Sequence, residues 1–381
     1  MSNQKDKTVS ARRKFLSGAA AATAGAATLG FPMIAKAQGP ISMRWQSTWP
    51  AKDIFHEYAN DFAKKVNDMT GGELKIEVLP AGAVVPAFGL LDAVSKGTLD
   101  GGHGVLVYHY GKQNALALWG SGPAFGMDAN ELLSWHKYGG GRDLLNKLYA
   151  SIGANVVSYP YGPMPTQPLG WFKKPITKAA DFKGLKYRTV GISIDVFTGM
   201  GAAVNALPGG EIVPAMDRGL LDAAEFNNAT SDRILGFADV SKVCMLQSYH
   251  QNAEQFEITF NKTKFDALPA KMKAIIDNAV EAASQDMSWK AIDRYSTDYI
   301  ALQEKDKVKF YKTPDSLLQA QLGAYDAAAE KKGAGNALFK EIEASQKKFA
   351  ERVVKWDLDT IVQRRMAYNH YFGQKAPAKK T

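Results

Sequence analysis

Arg188 stands near the C-terminal end of a predicted strand in "FKGLKYRTVG" (residues 182–191), at the edge of an α/β sheet where small polar ligands collect. A planar guanidinium there can give two parallel charge-assisted hydrogen bonds to a carboxylate, which lysine cannot reproduce. Groups for covalent or metal chemistry are sparse. The six histidines are scattered, and the one near pair, His103 and His109, lacks the companion ligands a metal site needs. No GxSxG elbow, HExxH helix or P-loop occurs, and "GGHG" and "YGGGRD" do not fit a dinucleotide fingerprint, so they read as turns. The pattern is that of a binding protein, not an enzyme. A single thiol, Cys244, excludes an internal disulfide.

The chain has 381 residues, 46% hydrophobic and 22% charged, the balance of an ordinary globular protein of about two domains. Residues 1–37 read as an export signal, with Arg12, Arg13 and Lys14 before an Ala/Gly-rich run and a small-residue cleavage site at "AKAQ". The paired arginines resemble a twin-arginine signal, although Ala11 and Ser17 depart from that pattern, and a Sec signal is the competitor. The destination is a bacterial periplasm. This segment holds six Lys/Arg and one acid, so the net charge falls from +9 for the whole chain to +4 without it. Bases and acids are interspersed, which excludes a nucleic-acid stripe.

The elements that must carry Arg188 alternate between strand and helix. "ISMRWQST" alternates Ile41, Met43 and Trp45 with polar residues. Phe55, Tyr58, Phe62 and Val66 then recur at helical spacing until Gly71 and Gly72, and "ELKIEVLP" is a second strand. The chain also repeats itself: "LPAGAVVPA" (79–87) returns 128 residues later as "LPGGEIVPA" (207–215), six of nine positions identical. Each copy is expected to open a helix at its Pro-x-Gly turn and to lead through a matching turn, with Asp100 or Asp222, into a strand. Two copies suit two α/β lobes facing a cleft, not a solenoid. Asp100 and Asp222 read as turn and cap residues.

From "RWQSTWP" onward the sequence resembles the solute-binding receptors of TRAP transporters, the DctP type. More narrowly it resembles the subgroup that binds 2-oxo acids and related monocarboxylates. The matching pieces are "LLDAVSKGTLDGGH", "GWFKKPITKAADFKGLKYR", "LPGGEIVPAMDRGLLDAAE" and the C-terminal helix. The resemblance implies a two-lobed periplasmic solute-binding fold with a central cleft and a long C-terminal helix. Its segments would be lobe 1 at 38–160 plus about 252–305, lobe 2 at 161–251 plus about 306–334, a helical extension at 335–373 and a flexible tail at 374–381.

Site residues follow from the same resemblance. The arginine that forks onto the substrate carboxylate falls on Arg188. A cation beside the substrate would be held by Gln167, Glu225, the backbone of Phe226 in place of a tryptophan, and Gln251, which an ungapped count puts where the family has a second glutamate. Tyr249 and His250 replace paired tryptophans, and Trp49, Tyr108, Asn227 and His250 would complete the substrate pocket. With one glutamate instead of two, sodium is expected over calcium. A metal-free site, with Asn227 and Asn228 binding a larger substrate such as an aromatic acid or sulfonate, is the other reading. The implied partners are a small carboxylate, the TRAP permease subunits and a second copy of the chain exchanging its C-terminal helix. That helix carries an apolar stripe at Leu338, Ile342, Phe349, Val353 and Trp356. A helix folded back on its own lobes is the alternative to exchange.

Overall fold

The computed structural model describes residues 39–373, so the expected export signal (1–37) and tail (374–381) lie outside the described residues. The first half of the chain builds one sheet with its helices: β1 (Ile41–Ser47), α1 (Ile54–Met69), β2 (Leu74–Leu79), α2 (Leu90–Ser95), β3 (Gly101–Gly104), α3 (Ala129–Tyr138), α4 (Gly141–Ser151) and β4 (Val156–Met164). Asp53 starts α1 by accepting from the Phe55 amide at 3.2 Å. Phe55, Tyr58, Phe62 and Val66 then bury one face, each worth about 1.5–3 kcal/mol. Gly71 and Gly72 follow at φ 62° and 83°, conformations that other side chains avoid.

The second sheet carries β5 (Gly170–Phe172), β6 (Lys186–Arg188), α5 (Ser193–Gly199), β7 (Ala203–Asn205), α6 (Gly209–Asp217), β8 (Ala223–Ala224), α7 (Ala229–Leu235), α8 (Phe237–Val240) and β9 (Val243–Leu246). The chain then returns to the first sheet with β10 (Glu254–Asn261) and α9 (Lys262–Asp266). After α10 (Ala270–Glu304), β11 (Lys309–Lys312) joins the second sheet, and α11 (Asp315–Gly333), α12 (Ala337–Thr360) and α13 (Arg364–Phe372) finish the chain. The strand orders are β2-β1-β3-β10-β4 and β11-β9-β5-β8-β6-β7. In the first sheet β10 runs antiparallel to its neighbours, and in the second β5 does. This is the expected two-lobed α/β architecture, with crossovers at residues 165–169 and 247–253. Gly170, at φ 128°, lets β5 approach β8 so closely that a Cβ there would lie 2.5 Å from the Ala224 carbonyl oxygen.

The internal repeat maps onto equivalent places with one difference. In the second copy α6 begins directly after Pro208, as expected. In the first copy helical turns start only at Ala87, because the Val84 and Val85 amides bond to Gln46 Oε1 at 2.7 and 3.1 Å instead of entering a helix. The turn aspartates match: Asp100 Oδ2 accepts from the Arg44 amide at 2.7 Å, and Asp222 Oδ2 from the Lys186 amide at 3.2 Å. Each ties a turn to the neighbouring parallel strand.

Helix α10, about 52 Å long at 1.5 Å per residue, packs on α1 and β4 and reaches α7. The expected C-terminal extension is two helices, broken at residues 361–363. Of the apolar stripe, Ile342 and Phe349 are buried on the chain's own first lobe and Leu338 and Val353 are half-buried, but Trp356 is 64% exposed. Among the described residues no helix is long and apolar enough to cross a membrane.

Candidate functional site

The site begins with two parallel strand ends. β6 and β8 pair with Arg188 opposite Ala224, which sets Glu225 beside Arg188 at the C-terminal edge of the second sheet. Arg188 Nη1 bonds to Glu225 Oε1 at 2.8 Å and to the Glu225 carbonyl at 2.9 Å, while Nε bonds to the Leu207 carbonyl at 2.8 Å. Both charged groups are fully buried, and the guanidinium lies 5.8 Å from the Phe226 ring centroid. Two of the three guanidinium nitrogens are therefore spent on the protein. Nη2 is buried without a partner and remains for a ligand.

The other walls come from the first lobe and the crossovers. Trp49 follows β1, and Tyr108 sits in the 3-10 turn Leu106–His109 after β3. The crossovers meet where the Gln167 amide donates to the Gln251 carbonyl at 3.2 Å. Gln167 Nε2 donates to Glu254 Oε2 at 2.6 Å. Together these residues close around a tight cavity, with about 10 Å³ of free space, whose remaining walls are Phe55, Val105, Met164, Val190, Phe226 and Asn227.

Glu254, the first residue of β10, is a site residue the sequence reading missed. Burial, and next the nearby Glu225 carboxylate, push its pKa well above the usual carboxylate range. Four side-chain oxygens are buried here without a hydrogen-bond partner in the protein: Gln167 Oε1, Glu225 Oε2, Gln251 Oε1 and Glu254 Oε1. Such orphans are costly, and a cluster of hard oxygens is the donor set that sodium or calcium takes. Among the described residues no three His, Cys, Asp or Glu side chains gather as a metal site, so this set depends on the two amides.

Trp49, Tyr108, Gln167, Arg188, Phe226, Asn227 and Gln251 line the cavity together. Two side chains stand away from where the sequence expectation put them. His250 is not on the wall: its Nδ1 pairs with Ser248 Oγ at 2.7 Å and its Nε2 stands 3.9 Å from Glu225 Oε2, so it backs the glutamate. Asn228 caps α7, accepting from the Thr230 and Ser231 amides at 3.0 and 2.9 Å, and is not free for a substrate. The Asn227 amide is also engaged, with Met164 Sδ at 3.3 Å and Asn228 Nδ2 at 2.9 Å. A larger space of about 430 Å³ opens beyond Asn227 and Asn228, walled by Trp171, Tyr295, Tyr299 and Phe310. Its one carboxylate, Asp232, is already bonded to Trp171 Nε1 at 2.8 Å, so the smaller cavity holds the unsatisfied chemistry.

A buried arginine with one free nitrogen and a group of orphaned oxygens meet at the cleft between two sheets, an arrangement suited to binding and not to covalent chemistry. The profile of the DctP family, bacterial extracellular solute-binding protein family 7, matches residues 46–332. The chain belongs to this family. It is a solute-binding receptor of the TRAP transporter type. A monocarboxylate 2-oxoacid-binding periplasmic protein of Nostoc sp. is 31% identical over 351 residues, 91% of this chain and 95% of that one. Among solved structures, a TRAP solute-binding protein of Bordetella bronchiseptica is 28% identical at TM-score 0.82, covering 88% of this chain and 98% of its own. It is a dimer with co-purified calcium and picolinate in one active site and the other site apo. A counterpart from Pseudoalteromonas atlantica, with bound sodium and pyruvate, is 29% identical at TM-score 0.80, covering 87% and 99%.

Proposed function

We propose that this receptor works in the periplasm, captures a small 2-oxo acid such as pyruvate together with a cation, and delivers it to the membrane permease of a TRAP transporter. The observation that carries the reading is the set of unpartnered buried atoms at one cavity: Arg188 Nη2 for the carboxylate, and for the cation the oxygens of Gln167, Gln251 and Glu254 on its walls with Glu225 Oε2 beside Arg188 just behind them. Gln167, Glu225, Gln251, Glu254 and the Phe226 backbone are the assigned ligands. A bound cation neutralises the paired negative charges.

Glu254 changes the charge count on which the sequence preferred sodium. Against Arg188 stand Glu225, the incoming carboxylate and Glu254, which only a bound cation would keep ionised against the upward push of burial; that leaves two negative charges to balance. Unbalanced charge in a buried site is expensive, so calcium is favoured over sodium. Lobe opening would pivot on the crossovers at 165–169 and 247–253. The same charges would also suit an aromatic monocarboxylate, and Trp49, Phe55 and Phe226 on the walls favour that second reading.

Dimerisation through the C-terminal helices belongs to the same proposal. Beyond Val354 the apolar residues Trp356, Leu358, Val362, Tyr371 and Phe372 are 64–79% exposed on one chain, surface that a second copy would cover. Native mass spectrometry of protein purified without added ligand tests the ligand class. A co-purified monocarboxylate is the expected result, and a sugar or amine carried through instead would overturn it.

A further inference from the structure

Trp49 shapes the uncharged side of the cavity, and its indole is held from behind. Its Nε1–H donates to His103 Nδ1 at 2.8 Å, and His103 Nε2 lies 2.5 Å from the Tyr161 hydroxyl. All three residues are buried. Because Nδ1 accepts, the neutral ring carries its proton on Nε2 and donates it to Tyr161. Burial brings the His103 pKa down to about 3, so the ring stays neutral across the physiological range.

The backbone explains the geometry. β1 and β3 pair with Ser47 opposite His103, and the Thr48 amide donates to the His103 carbonyl at 2.9 Å, which folds the next residue's indole over the imidazole. Phe55 and Phe256 meet the indole edge-on at 4.9 and 5.8 Å. The one donor of Trp49 is thus committed to the protein.

We propose that His103 is a positioning residue for ligand selection: by holding the Trp49 Nε1–H it presents a wall without a hydrogen-bond donor, and so selects 2-oxo acids with a short unsubstituted tail over those with a hydroxyl on the tail. The inference rests on the carboxylate reading above. Phe55, Val105, Met164 and Val190 on the same cavity offer a tail hydroxyl no partner either, so such a group turned toward them and Trp49, away from the polar groups of Tyr108 and Asn227, loses its water without replacement.

The test compares dissociation constants for pyruvate and hydroxypyruvate in the wild type, His103→Phe, Trp49→Phe and the double variant. The wild type should prefer pyruvate by about tenfold or more. His103→Phe should release the indole N–H, weaken pyruvate by about tenfold and narrow the preference to about threefold. In the Trp49→Phe background the same change should alter pyruvate affinity less than about twofold, because the group it acts through is gone. Equal losses in both backgrounds would overturn the proposal. The indole N–H resonance that disappears in Trp49→Phe should move in His103→Phe, and an unmoved resonance would also contradict it. Should His103→Phe not fold, His103→Gln, whose amide oxygen can accept the indole proton, must keep the pyruvate preference within about threefold of wild type. A His103→Gln protein without that preference refutes the role. A wild type that binds both acids equally contradicts only this inference, whereas one that binds neither contradicts the carboxylate reading beneath it.

Discussion

Arg188→Lys keeps the charge and removes the geometry. The guanidinium spends Nε on the Leu207 carbonyl and Nη1 on Glu225, and holds Nη2 for the ligand. An ammonium has one nitrogen in place of three, so a lysine that keeps the Glu225 ion pair gives up the Leu207 carbonyl, the ligand or both. A hydrogen bond to a charged group contributes about 1.5–3 kcal/mol, so losing the ligand contact should raise the Kd for a monocarboxylate about 10- to 150-fold. The abandoned Leu207 carbonyl should cost the fold a further ~1–3 kcal/mol. Titration calorimetry with pyruvate in calcium buffer reads the first effect and thermal melting the second. A Lys variant that melts like wild type and binds within about threefold of it would remove Arg188 from the ligand's contacts.

Glu254→Gln preserves shape and deletes a charge, so the calcium preference should give way to sodium in pyruvate titrations run with calcium, sodium or choline. A variant that still prefers calcium would exclude Glu254 from the cation's ligands. Buried carboxyls and buried histidines move stability in opposite directions as pH falls: His103 and His136, brought down to about 3 by burial, stay neutral in the fold while the unfolded chain takes up protons below ~6.5. Burial raises Asp53 to about 6 and Asp232 to about 7, above an unfolded value of ~3.9, so their contribution is full below that value and lost as pH climbs through the folded ones. The histidine contribution cancels when Asp232→Asn is compared with the wild type: between pH 8 and pH 5 the wild type should gain up to about 2.6 kcal/mol more stability than the variant, and parallel melting curves for the two proteins contradict this. In light scattering the chain without its signal should run as a dimer, and the same chain ending at Lys355 as a folded monomer, since Phe339, Ile342 and Phe349 are retained. A monomeric full-length chain defeats the dimer.

Much of the architecture was legible because it is written in local pattern. Alternation marked β1 and β2, helical spacing marked α1, and the repeat announced two lobes with Asp100 and Asp222 at matching turns. Arg188 was legible for the same reason, as a charged residue ending a short strand. Glu254 was not, because its place depends on how residues 247–253 cross between the sheets. That segment opens with Gln247 at φ 67°, and an ungapped count across it lands on Gln251. The cap role of Asn228 was available in "NNATS", an Asn directly before a helix, but competed with a reading of the pair as substrate ligands. Contacts between Trp49 and His103, 54 residues apart, leave no trace in spacing. The bend at residues 361–363 and the exposure of Trp356 likewise depend on where the first lobe's surface ends, which the apolar stripe alone does not encode.

The central claim is that this cavity holds a small carboxylate and a cation together. Calorimetric titration of pyruvate into chelator-treated protein, repeated after calcium is restored, tests it most directly. Binding should be weak or absent without the cation and at least about tenfold tighter with it. Identical affinity in both conditions, or no heat in either, would contradict it.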